Sequence, residues 1–443
     1  MKGIDVNIQD ESRPKDSHSW YVLSILVLVY IFSYIDRTIL VLLVDPIKLT
    51  LGISDTELSL LHGFAFASFY TFLGIPMGWL ADRGNRLKLI EVSTYVWSIA
   101  TILTGFCNSF LQMFVARIGL GVGESALSPA VYSLLSDYFK PEKLSRALSF
   151  YNAGLFIGSG LALVIGGVLI DLAPELDLPV IGNLEAWQVT FIIVGLPGVL
   201  LALWVRSISE PRRLGFGSEK THKTHLFHYL SRAISHIRQK PQAYLYHFFG
   251  YSLYAFIWAG TAAWIPSHLI RNFDWTASQV GSSYGVLVVV FGLLGVTSGG
   301  WLCSKLRDCG FKDAEIRTGL IGVLLTMPFG VLAPLTSNTF LALIGFAGLT
   351  FFASFPWGAA TAALQIITPN RLRAIISGFF LFLINMAGIG IAPTIIALIT
   401  DIGFGDDTAV RYSLSIVVGI AAPMSAVLLW RGLKPFTDAV EEL

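Results

Sequence analysis

Apolar residues run along this chain in long blocks, separated by short polar stretches at near-regular intervals. A bilayer core is crossed by ~20 apolar residues of helix. Twelve blocks reach that length, near 20–44, 57–81, 89–106, 110–135, 146–170, 187–206, 242–266, 276–302, 316–335, 339–366, 373–400 and 409–430. Runs of this length satisfy their own backbone groups in lipid only as helices. The pattern predicts an all-α integral membrane protein of twelve spans. The first 19 residues are polar, and the apolar run beginning at Trp20 is long enough to span, so a retained first helix is expected in place of a cleaved leader.

The longest polar connection, 207–241, divides the blocks into two sets of six. The expected organisation is a tail over 1–19, a six-helix half over 20–206, a linker over 207–241, a second half over 242–431 and a tail over 432–443. Within the linker, Leu226, Leu230, Ala233, Ile234 and Ile237 share one helical face, which predicts a short amphipathic helix on the membrane surface. His222, His225 and His228 are read as part of its solvated face.

The halves echo each other. Gly78-Trp79-Leu80-Ala81-Asp82-Arg83 ends span 2, and Gly300-Trp301-Leu302-Cys303-Ser304-Lys305 ends span 8. Pro141 through Arg146-Ala147 before span 5 returns as Pro369 through Arg373-Ala374 before span 11. Two pseudo-symmetric six-helix halves are a transporter architecture, with the site at their interface.

Charge sets the orientation. Of the 30 Lys and Arg, 25 fall in the tails and alternate connections, three (Lys48, Arg271, Arg411) in the opposite set, and two inside spans. By the positive-inside rule both termini are cytoplasmic. The loop 171–186 carries Asp171, Glu175, Asp177 and Glu185 and no base. Composition agrees with a lipid-facing surface, at 54% hydrophobic and 13% charged residues. A net charge of +1 offers no basic face for nucleic acid. Cys107, Cys303 and Cys309 are too few for a disulfide framework and are read as free thiols.

Four ionisable residues fall inside spans of the first half: Asp36 and Arg37 in span 1, Arg117 and Glu124 in span 4. Each costs ~2.5–3.5 kcal/mol or more at the bilayer centre, so they should face one another or a wet cavity. Arg117 and Glu124 lie two turns apart on one helix face, ~10 Å along the axis. The expected cluster has Asp36 facing Arg117 and Arg37 reaching Glu124. Protonating a carboxylate there would free a guanidinium for a phosphate or carboxylate headgroup, which couples protons to an anionic substrate. The second half offers His247, Tyr246, Tyr251, Tyr254, Trp258, Phe355, Trp357 and Asn385 instead. A charged half facing an aromatic one suits an amphipathic substrate.

The stretch from Gly78 through Asp82, Arg83 and Arg86 to Lys88 resembles the cytoplasmic loop motif of the major facilitator superfamily. Gly78 permits close helix contact, Asp82 can meet the positive end of a helix in the other half, and Arg83 and Arg86 can pair with acids such as Asp137. Contacts of that kind would form a latch specific to one orientation of the cavity. Ser304 stands where Asp82 would repeat, so no equal latch is expected in the second half.

Tyr34-Ile35-Asp36-Arg37, Ile53-Ser54-Asp55, Gly119 through Gly123-Glu124-Ser125-Ala126 with Pro129, and Ser136-Asp137-Tyr138-Phe139 resemble the spinster branch of that superfamily. The resemblance implies alternating access and carriage of a lysophospholipid or sphingosine 1-phosphate-like molecule. Substrate contacts are expected at Arg37, Arg117, Tyr34 and Asn385, proton coupling at Asp36 and Glu124, and latching at Gly78, Asp82, Arg83, Arg86 and Asp137. The expected partners are the bilayer, the small amphipathic substrate and protons, for a monomer in a bacterial inner membrane. A drug or small organic-anion/proton transporter, or a lipid sensor that does not transport, remain as alternatives. No G-x-x-x-x-G-K-[ST] run supplies an ATP motor, the glycines at 119, 121 and 123 are read as helix packing, and no nucleophile–base set or metal set supports an enzyme or a cofactor.

Overall fold

Sequence periodicity becomes architecture because each apolar run must close its own hydrogen bonds in lipid. The computed structural model describes residues 15–173, 176–178, 182–211, 213, 226–369 and 372–442. Among them are 12 helices long and apolar enough to cross a membrane: Asp16–Leu42, Asp55–Ala81, Arg86–Thr104, Phe110–Tyr138, Arg146–Leu172, Ala186–Arg206, Pro241–Phe273, Ala277–Asp308, Ala314–Leu335, Thr339–Ile367, Ile375–Phe404 and Asp407–Glu441. They are spans 1 to 12 below. The described termini lie on one face, since the number of spans is even.

Several ends are capped locally. Ser54 and Glu57 form a capping box ahead of span 2, and the Asn85 side chain accepts from Lys88 N ahead of span 3. Between spans 1 and 2 a short helix, Val44–Leu51, ends at Gly52, whose φ of 63° is left-handed. Leu176–Leu178 and Gly182–Leu184 pair antiparallel in the 173–185 connection. The linker contains the helix Leu226–Gln239. Its Ala233 is buried against the second half, and His236 meets the Tyr244 hydroxyl at 3.1 Å. Ile234, on the expected apolar face, is 43% exposed. His222, His225 and Glu175, and the side chains of Leu226, His228 and Asp177, lie outside the described residues.

Near the terminus-bearing face each half keeps its own core. One gathers Val22, Leu26, Leu134 and Tyr151, and the other gathers Tyr244, Phe248, Ile376 and Phe436. Toward the opposite face the cores become shared. Ile39, Leu43 and Ile47 pack with Trp264, Ile396 and Val410, and Leu42 and Leu163 pack with Leu269 and Tyr284. The halves are therefore sealed together away from the termini.

That seal needs very close backbones. A Cβ on Gly63 in span 2 would stand 2.4 Å from the Ile389 carbonyl oxygen in span 11. A Cβ on Gly281 in span 8 would stand 2.3 Å from the Leu163 oxygen in span 5. Small residues at such crossings let helices meet through dispersion alone. Both sites lie on π-helical turns, Leu60–Phe64 and Gly281–Gly285, at matching places early in spans 2 and 8. The duplication suggested by the short sequence echoes thus recurs in helix irregularities.

Candidate functional site

Span 4 carries Arg117 and Glu124 on its buried face, and its glycines bring them into place. A Cβ on Gly121 would stand 2.5 Å from the Phe66 oxygen, and one on Gly123 would stand 2.6 Å from Trp97 N. Span 4 is thereby pressed onto spans 2 and 3. Immediately after Glu124 the helix breaks, resuming at Leu127. Span 10 breaks at the corresponding place, between Ala353 and Trp357. Interrupted helices at membrane depth expose backbone groups where they line a cavity.

Arg37 forms an ion pair with Glu124. The guanidinium also lies over three rings: Phe66 at 4.2 Å, Tyr34 at 4.6 Å and Tyr70 at 5.0 Å. This aromatic cage favours the cation by its ring quadrupoles. Tyr34 is thus a wall of the cage.

Asp36 and Arg117 do not pair as expected. The Arg117 Nη1 donates to the Asp36 backbone oxygen at 3.4 Å, and its plane lies 5.0 Å from the Phe191 ring centre. The Asp36 carboxylate points elsewhere, toward Thr101. The Thr101 hydroxyl is committed to the Trp97 oxygen at 3.0 Å. Both Asp36 carboxylate oxygens, together with Nε and Nη2 of Arg117, are buried without a partner. The physical reason is the helix itself: adjacent residues 36 and 37 point ~100° apart, so span 1 cannot aim both at span 4.

His62 joins the cluster. It lies in the π turn of span 2, its Nδ1 has no partner, and it feels the charges of Arg117 and Arg37. The sequence carried a signal for it, a histidine within a span, the same signal that marks His247 in the second half.

The second half contributes differently. His247 donates to the Ala360 oxygen at 2.8 Å, Tyr251 to the Glu315 oxygen at 2.9 Å, and Tyr254 to the Phe352 oxygen at 2.5 Å. These three fasten helices. Trp258 and Trp357 meet edge to face at 5.5 Å. Asn385 is half-buried, without a side-chain hydrogen bond among the described residues, where span 11 enters the π turn Met386–Ile391.

Among the latch residues, Arg86 is buried and binds Asp137 at 2.5 Å, the Ser133 oxygen at 2.9 Å and Glu210 at 2.7 Å. Glu210, unmarked in sequence, also accepts from Leu87 N at 3.0 Å. Arg83 takes no acid among the described residues; it is exposed over the Trp79 ring at 4.2 Å. Gly78 has only Pro129 Cβ near its would-be Cβ, at 3.8 Å. The Asp82 side chain lies outside the described residues. The Arg86 bonds stay within the first half and the start of the linker, and none reaches the second half among the described residues.

On the opposite face, polar bonds cross between halves. Arg271 binds Asp45 at 2.6 Å and Asp55 at 2.6 Å, and Lys48 binds Asp407 at 2.6 Å. Asp401 accepts from the Thr56 N and Oγ1, each at 2.7 Å, and Ser59 meets Thr394 at 3.1 Å. Burial works to lower the Lys48 pKa, but the Asp407 hydrogen bond and the Asp55 charge hold it above the ordinary lysine value. Asp55, Asp401 and Asp407 come together with ligand-like spacing, and Arg271 and Lys48 pair with Asp55 and Asp407.

The family model for the Major Facilitator Superfamily matches residues 26–393. The chain belongs to the Major Facilitator Superfamily. Facilitators of this fold are transporters, not enzymes. Among similar facilitators, an MFS-type efflux pump of Mycolicibacterium smegmatis is 25% identical over 99% of this chain and 98% of its own length. Protein spinster homolog 1 of Xenopus laevis is 26% identical over 87% of this chain and 74% of its own. The D-galactonate transporter of Escherichia coli is 25% identical over 97% of this chain and 99% of its own. The crystal structure of a bacterial homolog to the human lysosomal transporter spinster, in an inward-facing and unoccupied conformation, superimposes with a TM-score of 0.78. That structure is 23% identical and covers 97% of this chain and 98% of its own, so it bears on the fold.

Proposed function

We propose that this facilitator carries an amphipathic, anionic or zwitterionic lipid-like molecule by alternating access, coupled to protons. The observation that carries this reading is the set of buried, partnerless groups on Asp36 and Arg117, beside the caged Arg37–Glu124 pair. A buried polar group left unmade costs ~1–3 kcal/mol, more when charged, so such a set is suited to accept something during the cycle. Arg117 offers two free donors to a phosphate or carboxylate, and Asp36 offers a proton acceptor. The Trp258 and Trp357 rings and the half-buried Asn385 of the second half supply contacts for the rest of an amphipathic molecule.

Both termini are placed in the cytoplasm, in a bacterial inner membrane, following the basic residues. The sealed face then looks outward, and the face where each half keeps its own core looks inward. The resemblance of the first half's motifs to the spinster branch favours a lysophospholipid-like substrate.

A second reading is a small organic anion, favoured by the similarity to the D-galactonate transporter. It uses the same Arg117 donors and no tail. Uptake into proteoliposomes, with and without a pH gradient, across lysophospholipids and D-galactonate separates the two. Lysolipid flux stimulated by the gradient supports the first reading. Galactonate flux alone overturns it in favour of the second, and binding without flux overturns transport.

A further inference from the structure

Away from the central cluster, a cavity of about 690 Å³ opens on the seam between spans 1 and 5. Its walls are Trp20, Leu23, Ser24, Val27 and Leu28 of span 1 and Arg146 and Phe150 of span 5. Gly154 and Gly158 of span 5 pack on Tyr30, Ile31 and Tyr34 of span 1, while Gly160 packs on Val289 of span 8. Phe150 lies between those two directions on the helix wheel and is 51% exposed. The groove therefore looks out to the hydrocarbon.

Its polarity is graded. From Trp20 to Leu28 span 1 rises ~12 Å. One leaflet's hydrocarbon is ~15 Å deep, half of the ~30 Å core. At the terminus-bearing end stands Arg146, over Trp20 at 5.6 Å and Phe150 at 5.9 Å. Arg146 is exposed and has no acid partner among the described residues. Lys143, about one turn earlier, is by contrast paired with Asp16. An apolar trough the depth of a leaflet, with one guanidinium at its headgroup end that pairs with no described acid, matches a single class of bilayer component.

We propose that this groove holds a bilayer phospholipid with an anionic headgroup. Its phosphate sits on Arg146, and one acyl chain lies along Leu23, Val27 and Leu28 against Phe150. This site is separate from the transport pathway and does not rest on the substrate assigned above.

The test is native mass spectrometry of the full-length protein with phosphatidylglycerol or phosphatidylcholine added. The wild type should retain phosphatidylglycerol in preference. Arg146→Gln should lower its retention about fivefold, the loss that one basic residue near a charged membrane surface represents at ~1 kcal/mol. Phosphatidylcholine retention should hardly change. Arg146→Lys should keep part of the preference. Ser24→Trp, which fills the groove from span 1, should lower retention of both lipids. Unaltered phosphatidylglycerol retention in Arg146→Gln, or unaltered retention of both lipids in a folded Ser24→Trp, overturns the site. If Arg146→Gln does not fold, the lysine and Ser24 variants decide it by the same criteria.

Discussion

The Arg271 guanidinium grips Asp55 with two nitrogens, at 2.6 and 2.8 Å, and holds Asp45 at the same time. Asp55 is wholly buried, so this cation from the second half neutralises a carboxylate of the first that water does not reach. Removing one partner of a buried pair costs ~3–5 kcal/mol because the other charge stays behind. The cost falls only on the conformation that joins them. Arg271→Ala should shift the population toward an opening on that face, by a factor of ~100 or more at ~1.4 kcal/mol per tenfold. On a cysteine-free background, Ser59→Cys should then react faster with a membrane-impermeant maleimide. Equal labelling with and without Arg271 would refute the lock.

Neutralising Glu124 leaves Arg37 in its aromatic cage without a counter-ion. Glu124→Gln should insert and purify normally but lose substrate flux by ~100-fold, and Arg117→Ala should behave alike. Radiolabelled uptake in proteoliposomes checks both, and wild-type flux in either would refute a role for the cluster.

Asp36 has no ion-pair partner, so its charge can change without breaking one. Asp36→Asn should abolish the stimulation of flux by a pH gradient while exchange of substrate for substrate persists. A gradient response that survives this change would assign the proton elsewhere.

Gly63 meets backbone, which cannot swing aside as a side chain does. Gly63→Val should force spans 2 and 11 apart, lower the thermal midpoint by several degrees, a loss of ~1–3 kcal/mol, and slow transport. An unchanged midpoint would show that the crossing has slack.

Glu210 is the less buried of the two acids on Arg86. Glu210→Ala should destabilise by ~1–3 kcal/mol, since Arg86 keeps Asp137 and Ser133 but its buried Nε loses its acceptor. Urea or thermal unfolding measures it, and a neutral result would leave Asp137 as the sufficient partner.

Span positions and the Arg37–Glu124 pair were legible because length and charge cost leave few choices at membrane depth. The Asp36–Arg117 expectation failed where it ignored the angle between successive residues on a helix. Arg271 and Lys48 read only as topology markers, because their partners Asp45, Asp55 and Asp407 are brought to them by tertiary packing between halves. Glu210 was hidden for the same reason: it lies 124 positions from Arg86. His62 was visible as a residue type, but its π turn was not, since no local composition announces that irregularity.

Asp36, Arg37, Arg117 and Glu124 carry two positive and two negative charges, all within one half. With all four ionised they sum to zero, so reorienting the unloaded protein moves no net charge from this cluster through the membrane's electric field. At ~2.3 kcal/mol per charge per 100 mV, voltage acts strongly on whatever unbalances the set. The return of the empty carrier is then insensitive to membrane potential at this site, and electrical work falls on the loaded passage alone.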